Sequence, residues 1–384
     1  MAFVTYDLLN KKRDLRDTLS TIIAGQPRFI SNFPTDPEMA TNQKSEWLED
    51  QITGRSVAAV SVAGNVVTLS AADAKRVLVG TLIAPKDDSA LFRVTAVGAT
   101  SATVEFVAAN GSSVTAVTGG MTLNIVSTPM PMATGNGDGE QNYHQVGVGY
   151  NVTQILRKDI IIARSTLSTN VYGNVDNTIA RQTAFALSEL ARDLNRTVLY
   201  GRRVEWEQGV IGEMGGLYFF GTQPGGLAID ASGAILDSYV INDGAQAVLG
   251  EGAAPSQILC SPGQARVISN EYKDRLQIMR QDDARGAFVA VIINEINGTG
   301  MTIIADPDMP DTDAWVLDTG GFALRYLQGS AFSDEDATTK GFDGIKRIAI
   351  GEATFVFRNP KQRLCRISNL KPSAAALAEI KARG

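Results

Sequence analysis

With 384 residues, 44% of them hydrophobic and 20% charged, the chain has a globular composition and room for two or three domains, each with its own core. A net charge of −6 excludes a surface that grips nucleic acid everywhere, since that work needs a basic excess, although a local basic patch stays open. Cys260 and Cys365 share no motif, which excludes a disulfide scaffold and suits a reducing compartment. No apolar run reaches the ~18 residues of a membrane span, and residues 1–16 lack the apolar centre of a secretory signal. The compartment expected from these features is the cytoplasm.

Residues 1–43 read as an arm. Leu8, Leu15, Leu19, Ile22 and Ile23 support one short helix, and Gly25, Pro27, Pro34 and Pro37 then break regular structure. A polar arm of this kind is expected to gain order by lying against another copy of the chain. The charged segment Lys44 to Asp50 follows. Trp47 stands there in an extended stretch with no local core of its own, so it reads as an intersubunit anchor.

Residues 58–132 are poor in charge and rich in Val, Thr, Ala and Gly. Short strand-forming runs at 60–62, 66–69, 81–83, 91–97, 103–107 and 121–126 are separated by turn pairs such as Gly64-Asn65 and Gly119-Gly120. That spacing predicts a small β barrel or sandwich. Gly135 to Gly139 reads as a hinge. The stretch 133–170 then returns as an extended strand, expected to pair antiparallel with 44–57, so that the β module sits at the tip of a hairpin.

The strongest helix comes next, capped by Asn174 or Asp176 and stopped by Gly201. Ala180, Ala184, Leu187, Ala191, Leu194 and Val198 fall on one face, and the rod is on the order of 35 Å long. Helices are further expected over Leu236 to Val248 and Ala265 to Met279. Strands are expected at 258–260, 288–293, 301–305 and 315–317, with a β finish from Ile345 to Ile367. Mixed helices and mostly antiparallel strands define an α+β fold class.

Catalytic chemistry finds little footing. His144 is the only histidine and follows a glycine hinge, a poor place to hold a triad. One histidine and two scattered cysteines do not make a zinc site. Asp306, Asp308, Asp311 and Asp313 crowd one loop. Their spacing is not that of a calcium-binding EF-hand, and two prolines make a rigid solvated turn the simpler reading. The glycines of 209–226 lack a phosphate-binding signature, and Asp334-Glu335-Asp336 reads as a solvated loop. Arg202-Arg203 and Lys361, Arg363 and Arg366 could face phosphates or pair with acids of a neighbouring subunit.

Several segments, taken in order, resemble one family. Ser45-Glu46-Trp47-Leu48-Glu49-Asp50 resembles the acidic Trp segment that opens an extended loop. Thr153-Gln154-Ile155-Leu156 and Ala163-Arg164-Ser165-Thr166 resemble the return of that loop. Ala186 to Leu194, ending in Leu199-Tyr200-Gly201, resembles a spine helix, and Met214-Gly215-Gly216-Leu217 the turn after it. Met309-Pro310, Val316-Leu317-Asp318, Gly351-Glu352-Ala353-Thr354-Phe355 and Asn359-Pro360 resemble a C-terminal signature. The family is the major capsid (major head) proteins of tailed double-stranded-DNA bacteriophages, in a subgroup with a β domain inserted in the extended loop.

The resemblance implies an N-terminal arm (1–43), an extended-loop hairpin (44–57 and 133–170), an inserted β domain (58–132), a peripheral domain with the spine helix (171–230 and 340–384) and an axial domain (231–339). It implies a structural protein, not an enzyme, with no cofactor. Its partners would be copies of itself in hexamers and pentamers, enclosed double-stranded DNA held without sequence preference, and portal, scaffolding or decoration proteins, with no membrane. Its place would be the virion, assembled in the host bacterial cytoplasm. Glu46, Trp47, Leu48, Glu49, Arg157, Lys158 and Arg164 are the expected assembly-interface residues. Two alternatives stay open: an encapsulin-type compartment shell with protein cargo, and an enzyme or ligand-binding protein with a carbohydrate-binding-like β module.

Overall fold

A computed structural model describes residues 27–50, 56–110, 115–129, 146–168, 178–271 and 291–383. The chain forms two compact units, an insert of Asp50–Gly147 and a body of Met1–Glu49 with Val148–Gly384. In the described part of the body a single 3-10 turn, Ile30–Asn32, precedes β1 (Lys44–Glu49). The insert contributes β2 (Ser56–Ala58), β3 (Ser61–Ala63), β4 (Val66–Thr68), α1 (Ala71–Ala74), β5 (Leu82–Pro85), β6 (Ala90–Val97), β7 (Ser101–Ala109) and β8 (Thr122–Ser127). The chain then runs through β9 (Gly147–Val152), β10 (Gln154–Ala163), α2 (Arg164–Leu167), α3 (Thr178–Tyr200), α4 (Leu217–Gly221), β11 (Leu227–Asp230), α5 (Ser238–Gly250), β12 (Gln257–Cys260) and α6 (Pro262–Glu271). It finishes with β13 (Val291–Ile293), β14 (Gly300–Ala305), β15 (Ala314–Leu317), β16 (Phe322–Tyr326), β17 (Ser333–Asp336), β18 (Gly344–Phe357), α7 (Pro360–Arg363), β19 (Leu364–Ser368) and α8 (Ser373–Arg383).

The insert's sheet has the order β2-β8-β5-β6-β7-β4-β3. Its two ends, β2 and β3, are halves of one run of chain. At their junction Ala59 N–H donates to Met121 O on one side, and Val60 N–H donates to Thr68 O on the other. One strand therefore bonds β8 with its first half and β4 with its second, and among the described residues the sheet closes into a small barrel. Val57, Val67, Ile83, Phe92 and Leu123 are almost fully buried and fill it. The alternation that made 91–97 read as a strand places Phe92 and Val94 inside. The structural unit is wider than the expected 58–132, because strand β2 also belongs to it.

The body is built on two larger sheets. One has the order β10-β18-β16, with β17 also pairing β18. The other has the order β11-β19-β15-β12-β14-β13, antiparallel except for β11–β19 and β12–β14. A third, two-stranded sheet joins β1 to β9. Two expectations need correction here. The return stretch does not pair with the leading strand throughout: β9 does, but β10 pairs antiparallel with β18 over ten residues. The sheets also cut across the expected peripheral and axial limits. Strands β11 and β19 join the sheet that holds 257–317, while β16 and β17 join the sheet of β10 and β18. Sheet partners are set by long-range pairing, which local patterns do not record.

The long helix α3 differs from its expected face. Ala186, Leu190, Leu194, Val198 and Leu199 are buried, whereas Ala180, Ala184 and Leu187 are exposed. Its first half packs Ala186 and Leu190 onto Ile160, Ile162 and Ala349 of β10 and β18. Its second half drives Leu194, Val198 and Leu199 into the main aromatic cluster. The buried face turns along the rod, so no single stripe describes it. The proposed caps Asn174 and Asp176, the arm helix of 1–23, the hinge at 135–139 and residues 272–290 lie outside the described residues. Asp334 to Asp336 form strand β17, not a loop, and Asp334 pairs with Arg347 at 2.5 Å. Among the described residues no helix is long and apolar enough to cross a membrane.

Candidate assembly surfaces

In residues 27–43, the part of the expected arm that is described, order comes from the chain itself and not from another copy. Phe29 is fully buried, and Phe33 packs edge-on against Phe355 with ring centres 5.2 Å apart. Phe29 N–H donates to Asp306 Oδ2 at 2.9 Å. The chain then runs alongside β16, with bridges at Thr35–Leu324 and Ala40–Leu327, and covers that edge of the sheet. Asp36 accepts from Arg325 Nη2 and Nε at 2.7 and 3.2 Å, and both side chains are under a tenth exposed. Burial alone would raise the Asp36 carboxyl. The Arg325 hydrogen bond, the Glu38 N–H and the nearby guanidinium charges outweigh it and hold the group below its ordinary value. Two phenylalanines between proline breaks find a core in their own subunit, and the buried ion pair locks the segment down.

Trp47 is likewise a core residue, not an intersubunit anchor. It is 7% exposed and faces Phe220 at 6.5 Å. Its indole Nε1 donates to Glu49 Oε1 at 2.6 Å, and the same oxygen accepts from Asn359 N–H at 3.0 Å. The room for this comes from Gly149 on β9, where a Cβ would lie 2.7 Å from Glu49 Oε1. Gly149, Phe220 and Asn359, which surround Trp47 and its partner Glu49, lie a hundred or more positions away in sequence, which is why the local sequence made the tryptophan look stranded.

Asn151 on β9 went unnoticed in the sequence. It is fully buried and donates to Gly215 O and Phe355 O at 3.0 and 2.8 Å. Its Oδ1 accepts from Gly215 N–H at 2.8 Å. It thereby fastens the Met214-Gly215-Gly216-Leu217 loop to the central sheet. Gly216 of that loop presses on α3, since a Cβ there would meet Val198 O at 2.6 Å. A lone Asn beside a glycine-rich turn carries no local signal of such a role.

The remaining expected interface residues lie at the surface. Leu48 is 74% exposed on β1, and Val148 on the neighbouring β9 is 59% exposed. Glu46 pairs with Lys44 at 3.1 Å. On β10, Arg157 forms a two-pronged pair with Asp159 at 2.6 and 3.0 Å. Lys158 reaches Asp193 at 2.8 Å and Glu189 at 3.7 Å on α3. Arg164 pairs with Asp343 at 2.9 Å. The structure gathers Arg157, Lys158 and Arg164 along one strand and its exit, and leaves Glu46 and Leu48 on a different sheet.

The acidic loop is neither a solvated turn nor a metal cradle. Asp306 is fully buried and accepts from Phe29 N–H and Asn195 Nδ2. Asp308 pairs with Arg196, Asp311 accepts from Ser261 Oγ, and Asp313 accepts from Arg366 and the Tyr218 hydroxyl. Asp306 and Asp308 tie the loop to α3, Asp311 ties it to the start of α6, and Asp313 ties it to α4 and β19. Among the described residues no cluster of His, Cys, Asp and Glu could hold a metal ion. Burial pushes the Cys260 and Cys365 thiols up to about 12, which leaves them protonated and inert. His144 lies outside the described residues.

This architecture is that of tailed-phage capsid subunits. The cyanophage A-1(L) capsid subunit superposes with a TM-score of 0.57 at 10% identity, covering 96% of this chain and 98% of that one. The capsid of a native GTA particle gives 0.52 at 10% identity over 95% and 97%. That of Myoviridae phage XM1 gives 0.51 at 9% over 96% and 99%. At such identities the likeness concerns fold alone. No curated protein sequence matched. The family model described as SU10 major capsid protein matches residues 2–371, and the chain belongs to that family. It is a major capsid protein, a structural subunit of an icosahedral phage shell.

Proposed function

We propose that this subunit builds the head shell around packaged double-stranded DNA, in hexamers and pentamers, and meets the DNA through non-specific contact. The observation that carries this reading is the family match across nearly the whole chain. The acids of the 306–313 loop are engaged within the subunit and the two thiols are buried, which agrees with a structural role. The work is mechanical, many modest contacts repeated by symmetry until the shell is stable. Glu46, Leu48, Arg157, Lys158 and Arg164 lie at the subunit surface and form the proposed contact set, while Trp47 and Glu49 brace β1 from beneath. Assembly takes place in the host cytoplasm, with portal, scaffolding or decoration proteins as further partners. The test is to purify particles containing this chain from lysates of infected cells and treat them with nuclease. Protected double-stranded DNA supports the reading, whereas particles filled with a protein cargo would replace it with an encapsulin-type compartment.

A further inference from the structure

The two outer edges of the β10-β18-β16 sheet are treated differently. Residues 34–40 of the same chain cover β16. Among the described residues nothing pairs with the outer edge of β10, although this strand is ten residues long, carries no proline and keeps an unbroken register with β18. Natural sheets rarely leave such an edge bare, because its free N–H and C=O groups template the pairing of another strand.

The register states which groups are free. Arg164 N–H donates to Asp343 O, across to the β18 side. Lys346 O, on β18, instead accepts from Ala337 N–H on the far side. Even-numbered residues of β10 therefore bond β18, and Ile155, Arg157, Asp159, Ile161 and Ala163 turn their backbone outward. The side chains of these residues also share the sheet face away from α3, and Ile155 and Ile161 are 45% and 60% exposed.

The order Ile155, Arg157, Asp159, Ile161 is complementary to its own reverse. With a second β10 laid antiparallel about a twofold axis through Lys158, Arg157 stands opposite Asp159 of the other copy and Ile155 opposite Ile161. Moving the axis to Asp159 sets carboxylate against carboxylate, and moving it to Arg157 sets guanidinium against guanidinium. Only the register centred on Lys158 matches both charges and both isoleucines, and it sets outward-facing residues opposite one another. The two Lys158 side chains become neighbours on the helix face, where each is already held by Asp193 and Glu189.

We infer that β10 is an isologous assembly edge, on which the β10 of a second copy docks antiparallel in the register centred on Lys158, joining two subunit sheets into one across a twofold axis. About eight new backbone hydrogen bonds would form. A contact of one patch with itself must sit on a twofold axis, which an icosahedral shell supplies between neighbouring subunits. The inference rests on the shell reading and deepens it by naming the contact.

Charge swaps test it. Arg157→Asp or Asp159→Arg alone faces like charges across the axis, and each should cut particle yield at least about tenfold. Mixing the two variants should restore particles, because every mixed contact is complementary. That rescue cannot come from within a subunit, since each variant still lacks its own Arg157–Asp159 pair. Lys158→Cys should give a disulfide-linked dimer in assembled particles under mild oxidation, because the two Cβ atoms would lie about 5 Å apart, whereas Ile161→Cys should not link to itself. Wild-type yield from either charge variant, failure of the mixture to rescue, or Lys158→Cys particles that stay monomeric on a non-reducing gel would each overturn the β10 contact while leaving the shell reading intact. If the wild-type chain forms no particles at all, the shell reading fails first.

Discussion

The insert and the body solve the same problem of sheet edges in opposite ways. In the insert, one run of chain bonds β8 with its first half and β4 with its second, so the sheet closes and its apolar faces turn inward. In the body, the chain covers one edge of the β10-β18-β16 sheet with residues 34–40, and among the described residues nothing pairs with the outer edge of β10. A closed barrel satisfies its hydrogen bonds by itself, whereas an open sheet with an exposed ten-residue edge is unfinished until something docks on it.

The largest effects should come from cutting the body's internal lock. Asp36→Ala leaves the Arg325 guanidinium buried without its partner and should cost the body about 3–5 kcal/mol, read as a lower midpoint of chemical unfolding. An unchanged midpoint would mean that the arm segment is not held by this pair. Trp47→Ala in the body and Phe92→Ala in the insert should each cost about 3–5 kcal/mol, but in different units. Cys260 and Cys365 both lie in the body, so their labelling by a thiol reagent reports on it alone. Trp47→Ala should speed labelling and Phe92→Ala should leave it unchanged. Equal acceleration by both would show that the two cores melt together and erase the contrast.

Asn151→Leu removes the partner of buried backbone groups at Gly215 and Phe355 and should cost the body about 1–3 kcal/mol, measured by thermal unfolding of the unassembled subunit. Acid should act on the body in a defined direction. Asp36 and Asp311 both titrate below their ordinary carboxylate value, in each case because hydrogen bonds outweigh burial. Their stabilisation is full above about pH 4 and lost as pH falls through the depressed folded-state values. Asp36→Asn should flatten that acid limb, and a limb of unchanged slope would assign it to other carboxylates. Smallest of all, Ile161→Thr on the bare edge should move subunit stability by no more than about 0.5 kcal/mol.

Much of this was legible in the residues because it depends on neighbours in sequence. The insert's strands at 60–69 and 91–107 announced themselves by alternation and turn pairs, and α3 by its helical apolar spacing and the stop at Gly201. The order of motifs from Ser45 to Pro360 pointed to the capsid family. What stayed hidden depends on distant partners. Trp47 looked stranded until β1, Phe220 and Asn359 came together around it. The arm's phenylalanines looked irregular until Phe355 and Asp306 received them. The face of α3 was placed wrongly because two different surfaces claim its two halves.

Local order, turn chemistry and the alternation of apolar side chains belong to the sequence, because each is set by steric and solvation preferences within a few residues. The tertiary structure alone decided which strand pairs with which, which edge the arm covers and which is left free. Those choices follow from long-range burial and backbone pairing among segments hundreds of residues apart, and no local pattern carries them.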